Sequence, residues 1–146
     1  MTELWGRRLF KTGAAFLILI GVVHSLSLLE PMVPKNDTEK QLLDLMTNYK
    51  FGLMGSIRSM SNLLRGFSIA FMLGAFALGA LDLLLSPERS GLLKRTALIN
   101  TIWLATMTAV SLRYFFVVPT SFLATALLIF ALAWLGLSAE EKSQRN

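Results

Sequence analysis

The sequence predicts an all-α fold: an integral membrane four-helix bundle with both termini cytoplasmic and an amphipathic helix in the first outer loop. Three observations predict it. Hydrophobic residues make up 54% of the chain and charged residues 16%, with mean hydropathy +0.59; an ordinary soluble domain is about 45–50% apolar and about 25% charged. The apolar excess falls in four blocks, several of which approach the roughly 20 residues needed to cross a bilayer. The basic residues gather at the ends of those blocks, as the flanks of membrane spans do.

The first predicted span, residues 12–29, follows Arg7, Arg8 and Lys11. A basic segment before an apolar one also describes a secretory signal. The continuation GVVHSLSLLEP contains no Ala-x-Ala cleavage pattern, so an uncleaved helix is expected. The outer loop, residues 30–59, places Leu42, Leu45, Met46, Tyr49 and Leu53 at helical spacing on one stripe. Thr38 with Gln41 three residues on forms a capping-box pattern, and Gly52 and Gly55 provide a bend after the helix. That helix is expected on the outer membrane surface or across the mouth of the bundle; a solvated loop helix is the alternative.

The second span covers residues 60–85 and the third 96–118, separated by LLLSPERSGLLKR with Pro87 and Gly91 as breakers. The fourth, residues 119–137, opens on Pro119, which suits a first helical turn. The join FFVVPTSF permits only a tight turn, so the last two spans are expected to be antiparallel neighbours. Residues 1–146 then form a single membrane domain.

Orientation follows from the flanks. Arg7, Arg8, Lys11, Arg89, Lys94, Arg95, Lys142 and Arg145 fall on one side. The other side carries Lys35, Lys40, Lys50 and Arg58, balanced by Glu30, Asp37, Glu39 and Asp44. The positive-inside rule puts the first set in the cytoplasm of a multi-pass protein of a bacterial inner membrane. Trp5 and Trp134 then mark the inner interface, and Tyr114, Phe115 and Phe116 the outer one. In lipid, helices associate through close backbone approach and hydrogen bonds. Small residues offered for this are Gly13 and Gly21; Gly66, Ala70 and Gly74; Thr101, Ala105 and Thr108; and Ala124 with Thr125. A compact monomer and a homo-oligomer are both open.

The net charge of +5 belongs to the membrane flanks, and no nucleic-acid partner is implied. The chain has no cysteine, which excludes disulfides, thiolate metal sites and a cysteine nucleophile. One histidine cannot supply bis-imidazole haem ligation, and no carboxylate cluster suggests a metal; no cofactor is implied.

Polar residues inside the spans carry the functional signal, because a charge at mid-bilayer costs about 2.5–3.5 kcal/mol on insertion scales. On a helix, Arg58, Asn62 and Arg65 fall at i, i+4 and i+7, so they are expected to share one face at the entrance of the second span. His24 lies near the outer end of the first span, and Ser111, Arg113 and Tyr114 near the outer end of the third. Together these seven predict an outer-leaflet polar pocket for an anionic lipid or amphiphile, since guanidinium groups bind phosphate and carboxylate in bidentate fashion. Such a protein is a non-enzymatic binding or accessory protein with membrane lipids as partners. Simple anchoring of Arg58 and Arg113 among head groups is the structural alternative. Two other functions stay open: a structural subunit of a larger membrane complex, and a small lipid-modifying enzyme or isomerase with His24 as candidate catalytic acid or base. Asp82 is expected to form a salt bridge near Arg89, Lys94 and Arg95, and Asn100 an interhelical hydrogen bond.

RSMSNLLRGFSIAFMLGAFALG, with GVVHSL in the first span, resembles a group of uncharacterised bacterial four-helix integral membrane proteins. In these, a first-helix histidine precedes a polar outer loop and an Arg-Ser-Met, Leu, Gly-Phe-Ser helix. The long first outer segment is similar in layout to DoxX-type and sterol-isomerase-related bundles. The resemblance implies the four-span fold; the carboxylates of sterol-isomerase pockets have no counterpart at matching depth here.

Overall fold

The computed structural model describes residues 3–143, with side chains to Ser138. Lys142 and Arg145, expected above as flanks of the last span, therefore lie outside the described side chains. Five helices and one two-stranded hairpin follow in the order α1 (Glu3–Ser27), α2 (Asp37–Asn48), β1 (Lys50–Leu53), β2 (Ser56–Ser59), α3 (Met60–Leu85), α4 (Ser90–Tyr114) and α5 (Val117–Ser143). Among the described residues, three helices are long and apolar enough to cross a membrane: α1, α3 and Val117–Ser138 of α5. The second predicted span coincides with α3. The helix expected as the third span runs from Ser90 to Tyr114 and falls outside that group. Its sequence explains why, since Lys94, Arg95, Asn100, four threonines and Arg113 dilute its leucines.

Two compact units form, Met1–Ile20 with Ala75–Asn146, and Gly21–Gly74. In the first, α4 packs along α5 across a connection of two residues, Phe115 and Phe116. Pro119 occupies the third position of α5, where a missing N–H costs no helical hydrogen bond. Fully buried Phe10, Leu17, Leu93, Leu104 and Phe130 form the core, with Phe10 and Phe130 edge-to-face at 5.7 Å. Buried residues of α4 recur as Leu93, Ala97, Asn100, Leu104, Thr108 and Ser111, a single stripe of helical period.

Glycines set how closely these helices approach, but they differ from the expected ladder. Gly66 and Gly74 face open space. The close contacts belong to Gly79, where a Cβ would meet the Ala14 carbonyl oxygen at 2.8 Å, and to Gly6, where it would meet the Leu137 nitrogen at 2.9 Å. Gly13 does approach a neighbour, the Phe130 ring at 2.9 Å. Spacing alone could not separate a lipid-facing glycine ladder from a packed one, because both read as small residues four apart.

The start of α1 is fastened by Arg7. Its guanidinium donates to Glu3 Oε1 and the Glu88 carbonyl, both at 2.8 Å, and to Ser90 Oγ at 3.0 Å. Ser90 Oγ also donates to the same Glu3 oxygen. A residue expected only as a membrane flank thus joins α1 to the α3–α4 turn.

In the second unit, α2 begins one residue ahead of Thr38. Asn36 is the N-cap, its side-chain oxygen accepting from the Glu39 N–H at 2.8 Å, while Glu39 Oε2 accepts from the Lys35 N–H. The Thr38–Gln41 pair is therefore not the cap: Asn at N-cap with Glu at the third helical position is the stronger combination. The helix also stops at Asn48, so Leu53 leaves the predicted stripe for a strand.

The loop continues as an antiparallel hairpin with Phe51 opposite Arg58 and Leu53 opposite Ser56. Its two-residue turn is Met54–Gly55, with φ of 46° and 83°. Two positive φ values are the I′ pattern that matches strand twist, and they favour Asn-Gly or Gly-Gly. Glycine meets this at position 55; methionine at 54 carries a left-handed strain of about 1–2 kcal/mol. The bend expected at Gly52 and Gly55 is thus a registered hairpin, missed because Met-Gly is a poor turn signature.

Candidate functional site

The seven predicted site residues divide between the two units. Within Gly21–Gly74, His24 lies in the last turn of α1 and its carbonyl accepts from Ser27 Oγ at 2.7 Å. The imidazole sits edge-on to Phe71 of α3, with ring centres 5.1 Å apart. Its Nε2 is buried and has no hydrogen-bond partner among the described residues. Buried ring nitrogens are ordinarily paired, so this atom retains an unused hydrogen-bonding position.

Arg58 does not stand on a helix. It occupies β2, is exposed, and donates from Nη1 to the carbonyl of its neighbour Ile57 at 2.8 Å. The helical register expected to align it with Asn62 and Arg65 therefore does not apply; those two remain near one another on α3, three residues apart. The change of conformation occurs at Ser59, whose Oγ accepts from the Asn62 N–H at 3.3 Å and so caps α3. Ser59 with a polar residue three positions on was a legible cap signal that the continuous-helix reading overlooked.

Both the Asn62 and Arg65 side chains are exposed. At about 100° per residue, Arg65 lies about 120° around α3 from Phe71, and Asn62 is on the opposite side. Thus α3 meets His24 with a different face from the one that presents Asn62 and Arg65. The basic surface at the start of α3 consists of Lys50, Arg58 and Arg65, all exposed. No acidic residue occurs between Lys50 and Leu81, so nothing within this segment neutralises it.

In the other unit, Ser111 is buried and its hydroxyl shares a hydrogen bond of 2.7 Å with Thr120. That bond joins α4 to α5, and the Ser111 hydroxyl is accordingly engaged in helix packing. Arg113 is exposed and lies over the exposed Tyr114 ring, 5.4 Å from its centre. A cation–π contact of this kind at an exposed site contributes about 0.5–1 kcal/mol and leaves guanidinium N–H groups available.

A polar pair outside the seven is also deeply buried. Asp82 of α3 and Asn100 of α4 are 1% and 4% exposed, and Asn100 Nδ2 donates to Asp82 Oδ2 at 2.6 Å. Asn100 thus forms the interhelical bond expected of it, with Asp82 as its partner. The sequence reading placed both residues but did not pair them, because positions 18 apart on different helices have no spacing signature. No group of three or more His, Cys, Asp or Glu side chains able to hold a metal occurs among the described residues. Comparison with known protein families, characterised proteins and solved structures returned no match to the chain.

Proposed function

We propose that the chain is a four-span inner-membrane protein, with cytoplasmic termini, that binds the anionic head group of a lipid or amphiphile as a non-enzymatic accessory protein. The observation that carries this reading is the exposed set Lys50, Arg58 and Arg65, in a stretch without acidic residues, at the point where the hairpin passes into α3, a helix apolar enough to span lipid. Asn62 adds an amide donor and acceptor on the same stretch. Arg113 and Tyr114 supply a further exposed cation and a hydroxyl at the end of α4.

The physical case is one of depth and chemistry. Guanidinium groups at a span terminus lie among lipid phosphates, where charge-assisted bidentate hydrogen bonds form with either phosphate or carboxylate. A cation near an anionic membrane surface contributes about 1 kcal/mol each, so several acting together retain a lipid through purification. Arg58→Leu with Arg65→Leu is expected to reduce co-purified phosphatidylglycerol and cardiolipin several-fold by native mass spectrometry. Retention equal to the unaltered protein overturns the reading.

A further inference from the structure

We infer that the β1–β2 hairpin is a membrane-inserting wedge, its Met54 tip entering the boundary between phospholipid head groups and acyl chains. The inference goes beyond head-group recognition: it concerns an apolar tip, and it holds for a neutral phospholipid surface as well as an anionic one.

Four observations converge on the hairpin. The first is what the turn exposes. Met54 is 100% exposed and Ile57 67%, with Leu53 also exposed beside them. Turns of this geometry in water carry Asn, Asp or Gly at the first central position. Here that position holds a flexible apolar side chain, on a backbone that disfavours it. An aqueous turn gains nothing from that choice, whereas a turn seated in lipid gains the transfer of the side chain out of water.

The second is continuity. Ser59 ends β2 and Met60 begins α3 with no residue between them. Since α3 is long and apolar enough to cross a membrane, the hairpin base is fixed at the end of a span. Four residues of strand reach about 13 Å. The tip therefore lies within about 13 Å of the end of the span, a reach compatible with the 5–10 Å depth at which interfacial elements bury apolar groups.

The third is charge. Lys50 and Arg58 stand at the base of the hairpin, away from its turn, and the hairpin contains no acid. Cations behind an apolar tip match a phospholipid surface, with phosphates outside and hydrocarbon beneath.

The fourth is the neighbouring helix. The Thr47 and Ser61 hydroxyls are 3.2 Å apart, which joins the end of α2 to the start of α3. On α2, Leu42, Leu45 and Tyr49 just beyond it form an exposed stripe, whereas Asp37, Lys40, Gln41 and Asp44 line a polar depression. The same unit thus carries further apolar surface unburied by protein.

The natural absence of cysteine allows a direct test on the full chain. Met54→Cys, Ile57→Cys and Lys40→Cys are each spin-labelled and reconstituted into vesicles of phosphatidylcholine, with or without phosphatidylglycerol. Collision with oxygen, which concentrates in lipid, is compared with collision with a water-soluble nickel chelate. The expected result is an oxygen-to-nickel ratio several-fold higher at 54 and 57 than at 40, in both lipid compositions. Nickel accessibility at 54 equal to that at 40 overturns the wedge. Low accessibility to both reagents also overturns it, because protein would then cover the tip. Met54→Asn, which suits the turn, provides the folding control: with Ile57→Cys as reporter, it is expected to lower the ratio at 57. Unchanged lipid retention in the Arg58→Leu, Arg65→Leu protein with the ratios intact would count against the head-group reading alone.

Discussion

Asp82 and Asn100 show how a single pair decides whether burial of a polar group is tolerable. Each side chain is almost wholly removed from solvent, and each has the other as hydrogen-bond partner. Removing one partner leaves the remaining group desolvated and unsatisfied, at a cost of about 1–3 kcal/mol. Asn100→Ala is therefore expected to destabilise the protein by that amount, measured by reversible unfolding in mixed detergent micelles. Asp82→Leu combined with Asn100→Leu is expected to cost less than Asn100→Ala alone, since neither leucine leaves a polar group stranded. A double variant less stable than the single one would show that the pair has another role. The Arg7 cluster follows the same logic just beyond the same end of α3. Its three partners come from α1, the α3–α4 turn and α4, so one guanidinium fixes the relative placement of separate chain segments.

At the scale of elements, α3 was fully legible and its surroundings were not. Twenty-six residues of high hydropathy leave little choice but a long helix, and the predicted limits are the observed ones. The hairpin before it was unreadable because Tyr49, Leu53 and Arg58 also fit a helical repeat; only the left-handed Met54–Gly55 turn breaks it, and methionine does not announce that conformation. Likewise, Arg58 was assigned a helical face that it lacks, while Asn62 and Arg65 kept theirs. Glycine spacing was misleading for a related reason, since a sequence does not reveal which side of a helix meets another. Substitution separates the two kinds. Gly6→Ala and Gly79→Ala force a methyl into backbone atoms less than 3 Å away, and overpacking of that sort costs about 1–3 kcal/mol. Gly66→Ala and Gly74→Ala meet open space and gain helix propensity, so thermal stability in detergent is expected to hold or rise. Equal losses at all four positions would contradict the observed packing.

For the whole molecule, composition fixed the class most firmly: three helices suited to cross lipid occur among the described residues. Four crossings, as proposed above, require α4 to enter the membrane despite its polar side chains. The two-residue link at Phe115 and Phe116, together with the Ser111–Thr120 bond, bears on how that happens during synthesis. A segment too hydrophilic to partition alone can leave the translocon alongside a greasier successor, with its hydroxyls already matched. Biogenesis of α4 would then wait on α5, and a chain halted after Phe116 is expected to leave α4 extractable by alkaline carbonate or open to added protease. A halted product with α4 fully embedded would mean that the helix inserts unaided. The tight corner between the last two helices is, in this view, an assembly instruction: it delays commitment to the bilayer until both partners have emerged from the ribosome.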